Sequence, residues 1–355
     1  MWNTNKFCEQ LGLTYPIIQA GMAGGVTTPE LVSSVSIAGA LGTLGAGYMT
    51  AEDMTESIIR IKQLTNHMFA VNVFIPEDNN LSSERVARAD RLLDSYRRDL
   101  QIKKEPFTST PFPYDAQLES ILELNVPIVS FTFGVPSRET VKELKKNNVI
   151  TIGTATTVEE AVINEDRGVD AVVVQGSEAG GHRGSFTGDF SKGMVGTIAL
   201  VPQAVDQVRI PVIAAGGIMD GRGVLASLAL GAQGVQMGTA FVTSQESGAK
   251  VQHKEAILKT TESETVVTSV FSGKPARGIR NQFISDLKEF ESELPGYPDQ
   301  NSLTKPIRKE AAKQNKPEWM SLWSGQAPRL STRKSATELI DGIVRQVEGL
   351  IQEKW

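Results

Sequence analysis

The sequence predicts an α/β fold, a (β/α)8 TIM barrel with an additional mainly helical lobe over its C-terminal face, and three observations point to it. Eight short apolar runs recur along the 355 residues, most of them continuously apolar, as befits strands covered on both faces of a parallel sheet. Helix-capping signals fall between the runs. Residues 77–125 and 251–355 exceed what eight β-then-α units need, which assigns the barrel to 1–76 and 126–250.

The first run, Pro16–Ala20, opens into Gly21-Met-Ala-Gly-Gly25. Thr28 and Pro29 then cap and start a helix over Leu31–Ala38 that Gly39 ends, before the run Leu41–Leu44. Thr50-Ala-Glu-Asp53 reads as a capping box ahead of Phe69–Val73. Pro127–Phe131 and Val149–Gly153 follow, and Thr157-Val-Glu-Glu160 repeats the box before Asp170–Val174. Between Pro211–Ala215 and Gly234–Met237, Asp220 caps a helix from Gly221 to Leu230 that stops at Gly231. A doubly wound open sheet is the alternative. Its Gly-x-Gly-x-x-Gly turn is absent, because the glycines after the first run stand at 21, 24 and 25.

Within 77–125, Val86, Ala89, Leu93, Tyr96 and Leu100 lie at helical spacing on a charged segment, read as a solvated covering helix rather than a basic docking surface. The Pro-rich stretch Pro106–Pro113 follows it. Beyond the eighth run come further helix and the cluster Trp319-Met-Ser-Leu-Trp323, expected to roof one mouth of the barrel.

Composition narrows the function. No apolar run approaches the roughly 20 residues of a membrane span. A net charge of -5 with no basic block argues against nucleic acid. Cys8 is the single cysteine and there are three histidines, so neither a thiolate nor a multi-histidine metal site is expected. The N-terminal Met-Trp-Asn-Thr-Asn-Lys lacks an apolar signal core, giving the expectation of a cytoplasmic protein. A monomer and a homodimer both fit.

Barrel chemistry sits at the C-terminal strand ends, which here are rich in glycine and amides. The first run leads into Ala20, Gly21 and Met22, the third ends in Asn72, and the sixth runs into Gln175-Gly-Ser-Glu-Ala-Gly-Gly-His-Arg-Gly184. The seventh gives Ala215, Gly216 and Gly217, and the eighth gives Gln236, Met237, Gly238 and Thr239. Glycine N–H groups, the Thr239 hydroxyl and a helix starting near Gly238 would together hold a phosphate, though the glycines alone also suit tight turns. Flavin mononucleotide (FMN) fits, its ring against Ala20-Gly21-Met22 and its polar edge on Asn72 and Gln175. A sugar phosphate fits the phosphate loops as well. His182 stands in a loop with little bulk, placed for proton transfer, with Glu178 and Arg183 beside it in undecided roles. His67 and His253 read as structural.

These residues carry a resemblance. The chain resembles the nitronate monooxygenases over almost its whole length, through Pro16-Ile-Ile-Gln-Ala-Gly-Met-Ala-Gly24, Val71-Asn-Val73, the 175–186 segment, Ala214-Ala-Gly-Gly-Ile218, Gln236-Met-Gly-Thr-Ala-Phe241 and Trp323-Ser-Gly-Gln326. The resemblance implies an FMN-dependent oxidoreductase that converts a nitronate with O2 to a carbonyl compound and nitrite. It places FMN contacts on Asn72, Gln175, Gly180 and the neighbouring Gly181, Gly217, and Gln236 through Thr239, and the catalytic histidine on His182. It also implies substrate contacts at Tyr297 and Lys305, although a solvated lysine fits position 305 equally well. Where several relatives carry a second pocket histidine, this chain has Thr132, so a preference for carboxylated nitronates loses a charge.

The rival is an FMN-dependent enoyl-acyl-carrier-protein reductase, which shares the first-run and Glu-Ala-Gly-Gly-His motifs. An inosine-monophosphate-dehydrogenase-like enzyme needs a nucleophilic loop cysteine, and Cys8 precedes the first run. A flavin-binding regulator without turnover is the non-enzymatic alternative.

Overall fold

The computed structural model describes residues 2–77, 82–108 and 113–354, and in it eight parallel strands build the predicted barrel. They are β1 (Ile17–Gln19), β2 (Gly42–Gly45), β3 (Phe69–Phe74), β4 (Ile128–Thr132), β5 (Ile150–Ala155), β6 (Ala171–Gln175), β7 (Val212–Ala215) and β8 (Gly234–Met237). Each overlaps one of the apolar runs. The strands hydrogen-bond in the order β1-β8-β7-β6-β5-β4-β3-β2. A parallel bridge between Ile18 and Leu41 joins the two ends of that order.

The runs are continuously apolar because both strand faces are buried. Val173 points inward with Ile18, Ala70, Ile128 and Ile213, while Val172 and Val174 pack outward against helices. Helix Lys6–Leu11 precedes β1 and drives Phe7 and Leu11 into that interior. A Cβ on Gly234, the first residue of β8, would meet the Phe7 ring at 2.9 Å, so this plug sits at the N-terminal end of the strands.

The caps form as their chemistry dictates. Thr28 accepts from the Leu31 N–H and Thr50 from the Asp53 N–H, while Asp220 accepts from the N–H groups of Arg222 and Gly223. At the third predicted cap Thr157 accepts from Glu160 N, but the reciprocal half of the box is not made. The Glu160 carboxylate turns away, to the N–H groups of Thr156, Phe186 and Thr187.

The lobe is less helical than expected. Strands Thr265–Thr268 and Ala276–Ile279 pair antiparallel, and the second pairs again with Gly181–His182. The covering helix breaks at Leu93 into Ser83–Leu92 and Asp94–Asp99. Its apolar stripe is buried against Phe283, Ile307 and Phe271, so the element covers the lobe and is solvated only on its charged side. Residues 109–112 of the Pro-rich stretch lie outside the described residues.

Two helices within the segments assigned to the lobe belong to the barrel wall. Tyr114–Glu123 packs Ile121 beside Val71 and Val129, and Ala336–Lys354 packs Ile340, Ile343 and Val347 beside Val224 and Leu31. Among the described residues no helix is long and apolar enough to cross a membrane, and no group of His, Cys, Asp or Glu is placed to hold a metal.

Candidate active site

The C-terminal strand ends open into a cleft beneath the lobe, with an empty volume of about 1340 Å3 counted out to solvent. Ala20, Gly21, Met22, Asn72, Thr132, Gln175, Gly180, Gly181, His182, Gly216, Gly217, Gln236, Gly238 and Thr239 all line it.

After β7 the chain turns through Gly216 and Gly217 at φ 120° and 70°, a backbone region glycine enters without steric cost. Among the described residues the N–H groups of Gly217, Ile218 and Gly238 meet no acceptor. The Thr239 Oγ1 accepts from the Gly325 N–H at 2.9 Å, so its own proton is free to point into the cleft. The helix expected near Gly238 is a single turn, Thr239–Val242. The anion-binding character therefore rests on these individual donors rather than on a helix dipole. Beside Thr239, a Cβ on Gly180 would stand 2.4 Å from the Gly325 nitrogen. Only glycine there lets the 324–326 segment close over the barrel.

The amides divide their work. Asn72 Nδ2 donates to the hydroxyls of Ser130 at 3.0 Å and Thr132 at 3.1 Å, which leaves its Oδ1 buried without a partner. Gln175 is turned to its own loop: Nε2 donates to the His182 carbonyl at 3.1 Å and Oε1 accepts from the Gly184 N–H at 2.9 Å. Its main task is thus to hold the histidine loop.

His182 is not in a loose loop. Its backbone pairs with Ala276, and its ring lies 5.7 Å from Phe133 and 5.3 Å from Trp323, centroid to centroid. Burial, with Lys274 and then Arg308 nearby, pushes its pKa down to about 3. The ring is therefore neutral at physiological pH. Glu178 is a loop anchor: its carboxylate accepts from the Thr197 N–H and hydroxyl, capping a helix whose N-cap residue is glycine. Arg183, 1 % exposed, donates to the carbonyls of Gln175, Gly176 and Gly193 and clamps the end of β6 to the loop.

Three expected site residues are placed elsewhere. The Met237 side chain packs outward in the apolar layer between strands and helices, as alternation from the cleft-lining Gln236 requires. Tyr297 sits one layer behind the cleft, against Phe74 and Phe133, its ring 6.1 Å from that of His182. Burial drives its phenol pKa far up. Lys305 is exposed and does not line the cleft. His67 is exposed, whereas His253 is buried and binds the Trp323 carbonyl through Nε2 at 2.8 Å.

The lobe adds groups that sequence reasoning missed. Lys274 pairs with Glu77 and stands 4.6 Å over the Phe133 ring. Arg308 donates to Thr304 and Asn301 and meets no carboxylate among the described residues. Burial lowers its pKa to about 10, and Tyr48 offsets part of that shift. Tyr48 and Phe133 also line the cleft. The one legible signal was the unusual Phe-Thr-Phe-Gly134 end of β4, where Phe133 takes φ 72°.

The family model for nitronate monooxygenase matches residues 5–346. A probable nitronate monooxygenase from Staphylococcus aureus is 50% identical over 356 residues, covering 100% of both chains. The crystal structure of nitroalkane oxidase from Streptomyces ansochromogenes superposes with a TM-score of 0.92 at 38% identity, over 98% of this chain and 99% of that one. FabK from Thermotoga maritima is more distant, with a TM-score of 0.78 at 31% identity over 99% and 98% of the two chains. By full-length identity, family match and superposition alike, the chain is an oxidoreductase that belongs to the nitronate monooxygenase family.

Proposed function

We propose that this chain oxidises alkyl nitronates, such as propionate 3-nitronate, with O2 to carbonyl compounds and nitrite, using FMN held in the cleft. Removal of reactive nitro compounds in this way is a detoxifying role. The observation that carries the reading is that His182 lines the same cleft as the donor-rich glycine loops.

The residues present suit the cofactor. The N–H groups of Gly217, Ile218 and Gly238 and the Thr239 hydroxyl are donors without acceptors, which suits a phosphate. The unpartnered Asn72 Oδ1 suits an N–H on the edge of a flat ring, which a sugar phosphate lacks. Bound there, FMN would supply one-electron acceptance from the substrate and onward transfer to O2. The protein positions the substrate between Phe133 and Trp323, both of which line the cleft. Thr132, held by Asn72, adds no charge to that pocket. His182 faces the α-carbon of the substrate.

The test is oxygen uptake and nitrite release by the flavin-loaded chain with propionate 3-nitronate, with and without NADH. Nitronate-dependent uptake that needs no NADH is expected. Tight flavin binding with no uptake on any nitronate makes the chain a flavin-binding regulator instead. NADH-dependent bleaching of the flavin with an unsaturated thioester, in place of uptake, makes it a reductase.

A further inference from the structure

We infer that Ser272 is a positioning residue that sets the tautomer of His182, so that Nδ1 meets the substrate as a bare lone pair. Ser272 lies in the hairpin between Thr265–Thr268 and Ala276–Ile279 and is 1 % exposed. Its Oγ meets three groups: His182 Nε2 at 2.9 Å, the Lys274 carbonyl at 3.0 Å and the Lys274 N–H at 3.3 Å. A hydroxyl has one proton and two lone pairs to distribute. The carbonyl can only accept, so it takes the proton. The amide can only donate, so it takes one lone pair. What remains for His182 is a lone pair, and Nε2 must carry the hydrogen.

The reverse assignment, with the hydroxyl donating to Nε2, would strand the Lys274 carbonyl, which has no other donor among the described residues. With hydrogen on Nε2, a neutral ring leaves Nδ1 unprotonated. Nδ1 makes no hydrogen bond to any described residue, and His182 lines the cleft. Both partners are held by backbone. His182 is laddered to Ala276, and the hairpin turn passes through Gly273 at φ 79°, where a Cβ would stand 2.4 Å from the carbonyl carbon of Gly296.

This bears on substrate class and rests on the function proposed above. A nitronate anion needs hydrogen-bond donors, which a bare Nδ1 cannot offer. A neutral nitroalkane offers an acidic Cα–H. As that C–H bond breaks, the proton goes to Nδ1, its electron pair forms the C=N bond, and the charge settles on the nitro oxygens. Lys274, paired with Glu77, and Arg308 lie close enough to His182 to act on its ring, and Tyr297 is the other titratable group packed nearby. Ser272 thus equips the chain to make nitronates from neutral nitroalkanes as well as to consume them.

Long-range 15N–1H correlation spectra of the full chain, labelled on its three histidines and assigned with His182→Asn, read the tautomer without turnover. The parent is expected to carry hydrogen on Nε2. Ser272→Ala is expected to shift the ring toward Nδ1–H, and Ser272→Thr to keep the parent form. In parallel, the ratio of nitroethane to ethyl nitronate turnover should fall at least about ten-fold in Ser272→Ala and recover in Ser272→Thr. Hydrogen on Nδ1 in the parent, an unchanged tautomer in Ser272→Ala, or equal losses on both substrates would each overturn the assignment. If the parent turns over neither substrate, the proposed function fails while the spectra still decide the tautomer.

Discussion

Barrel and lobe meet at one cleft and bring it different kinds of group. The barrel contributes neutral donors and acceptors on rigid strand ends: the Gly217 and Gly238 N–H groups, the Asn72 amide and the Gln236 side chain. The lobe contributes the charges of Lys274 and Arg308, the Ser272 hydroxyl and the Trp323 wall. His182 belongs to both, since its loop leaves β6 and its backbone joins the lobe sheet. The division separates holding a cofactor, which needs fixed geometry, from handling a substrate, which needs charge and a proton acceptor.

The largest effect should come from the residue on the seam. His182→Asn is expected to slow nitroalkane oxidation by about 10²–10⁴-fold while the protein still binds flavin, because the barrel donors are untouched. Loss of both together, read from turnover and the visible spectrum, would break the division. The parent should also show no fall in kcat/KM between about pH 8 and pH 5 from this group, since its pKa in the free protein is about 3. The linkage has a definite sign. An unfolded histidine takes up a proton near pH 6.5 that the native ring refuses until about 3. Stability is therefore lost as pH falls through that window, and His182→Asn should flatten the slope.

The same division explains what was legible. Barrel strands are short, continuously apolar and separated by caps such as Thr28-Pro29 and Asp220, all local signals. Strand alternation then dictates which strand-end side chain faces inward, so Gln236 lines the cleft and Met237 does not. The lobe sheet depends on Ala276 pairing with His182, a long-range contact between two short segments with no periodicity to announce it. Ser272 was invisible for that reason. Two barrel helices were misassigned because the segments holding them also hold lobe elements, and only packing against Val71 or Val224 separates the two.

A smaller effect should appear where the barrel wall grips the histidine loop. Glu160 is fully buried and its carboxylate accepts from Thr156, Phe186 and Thr187. Glu160→Gln replaces one acceptor oxygen with an NH2 that faces N–H donors, so at least one bond is lost and a donor is left buried. Urea unfolding should reveal a loss of about 1–3 kcal/mol, and nitroalkane turnover should drop more than flavin affinity. Equal drops would mean that the loop supports the cofactor half as well.

The smallest effect concerns Lys305, which the resemblance offers as a substrate contact and which reads equally well as a solvated lysine. On helix Asp299–Lys313, Arg308 donates to the Thr304 hydroxyl at 3.1 Å, and Thr304 is fully buried. That fixes which face of the helix looks toward the cleft. Lys305 is turned about 100° from Thr304 and is exposed to solvent. An ammonium there is screened by water and salt before it reaches a substrate carboxylate. Lys305→Met should therefore change KM for propionate 3-nitronate by less than about two-fold, within the usual range for a surface substitution. A ten-fold rise would mean that the helix rotates when substrate binds, and that the lobe, unlike the barrel, is rebuilt around its ligand.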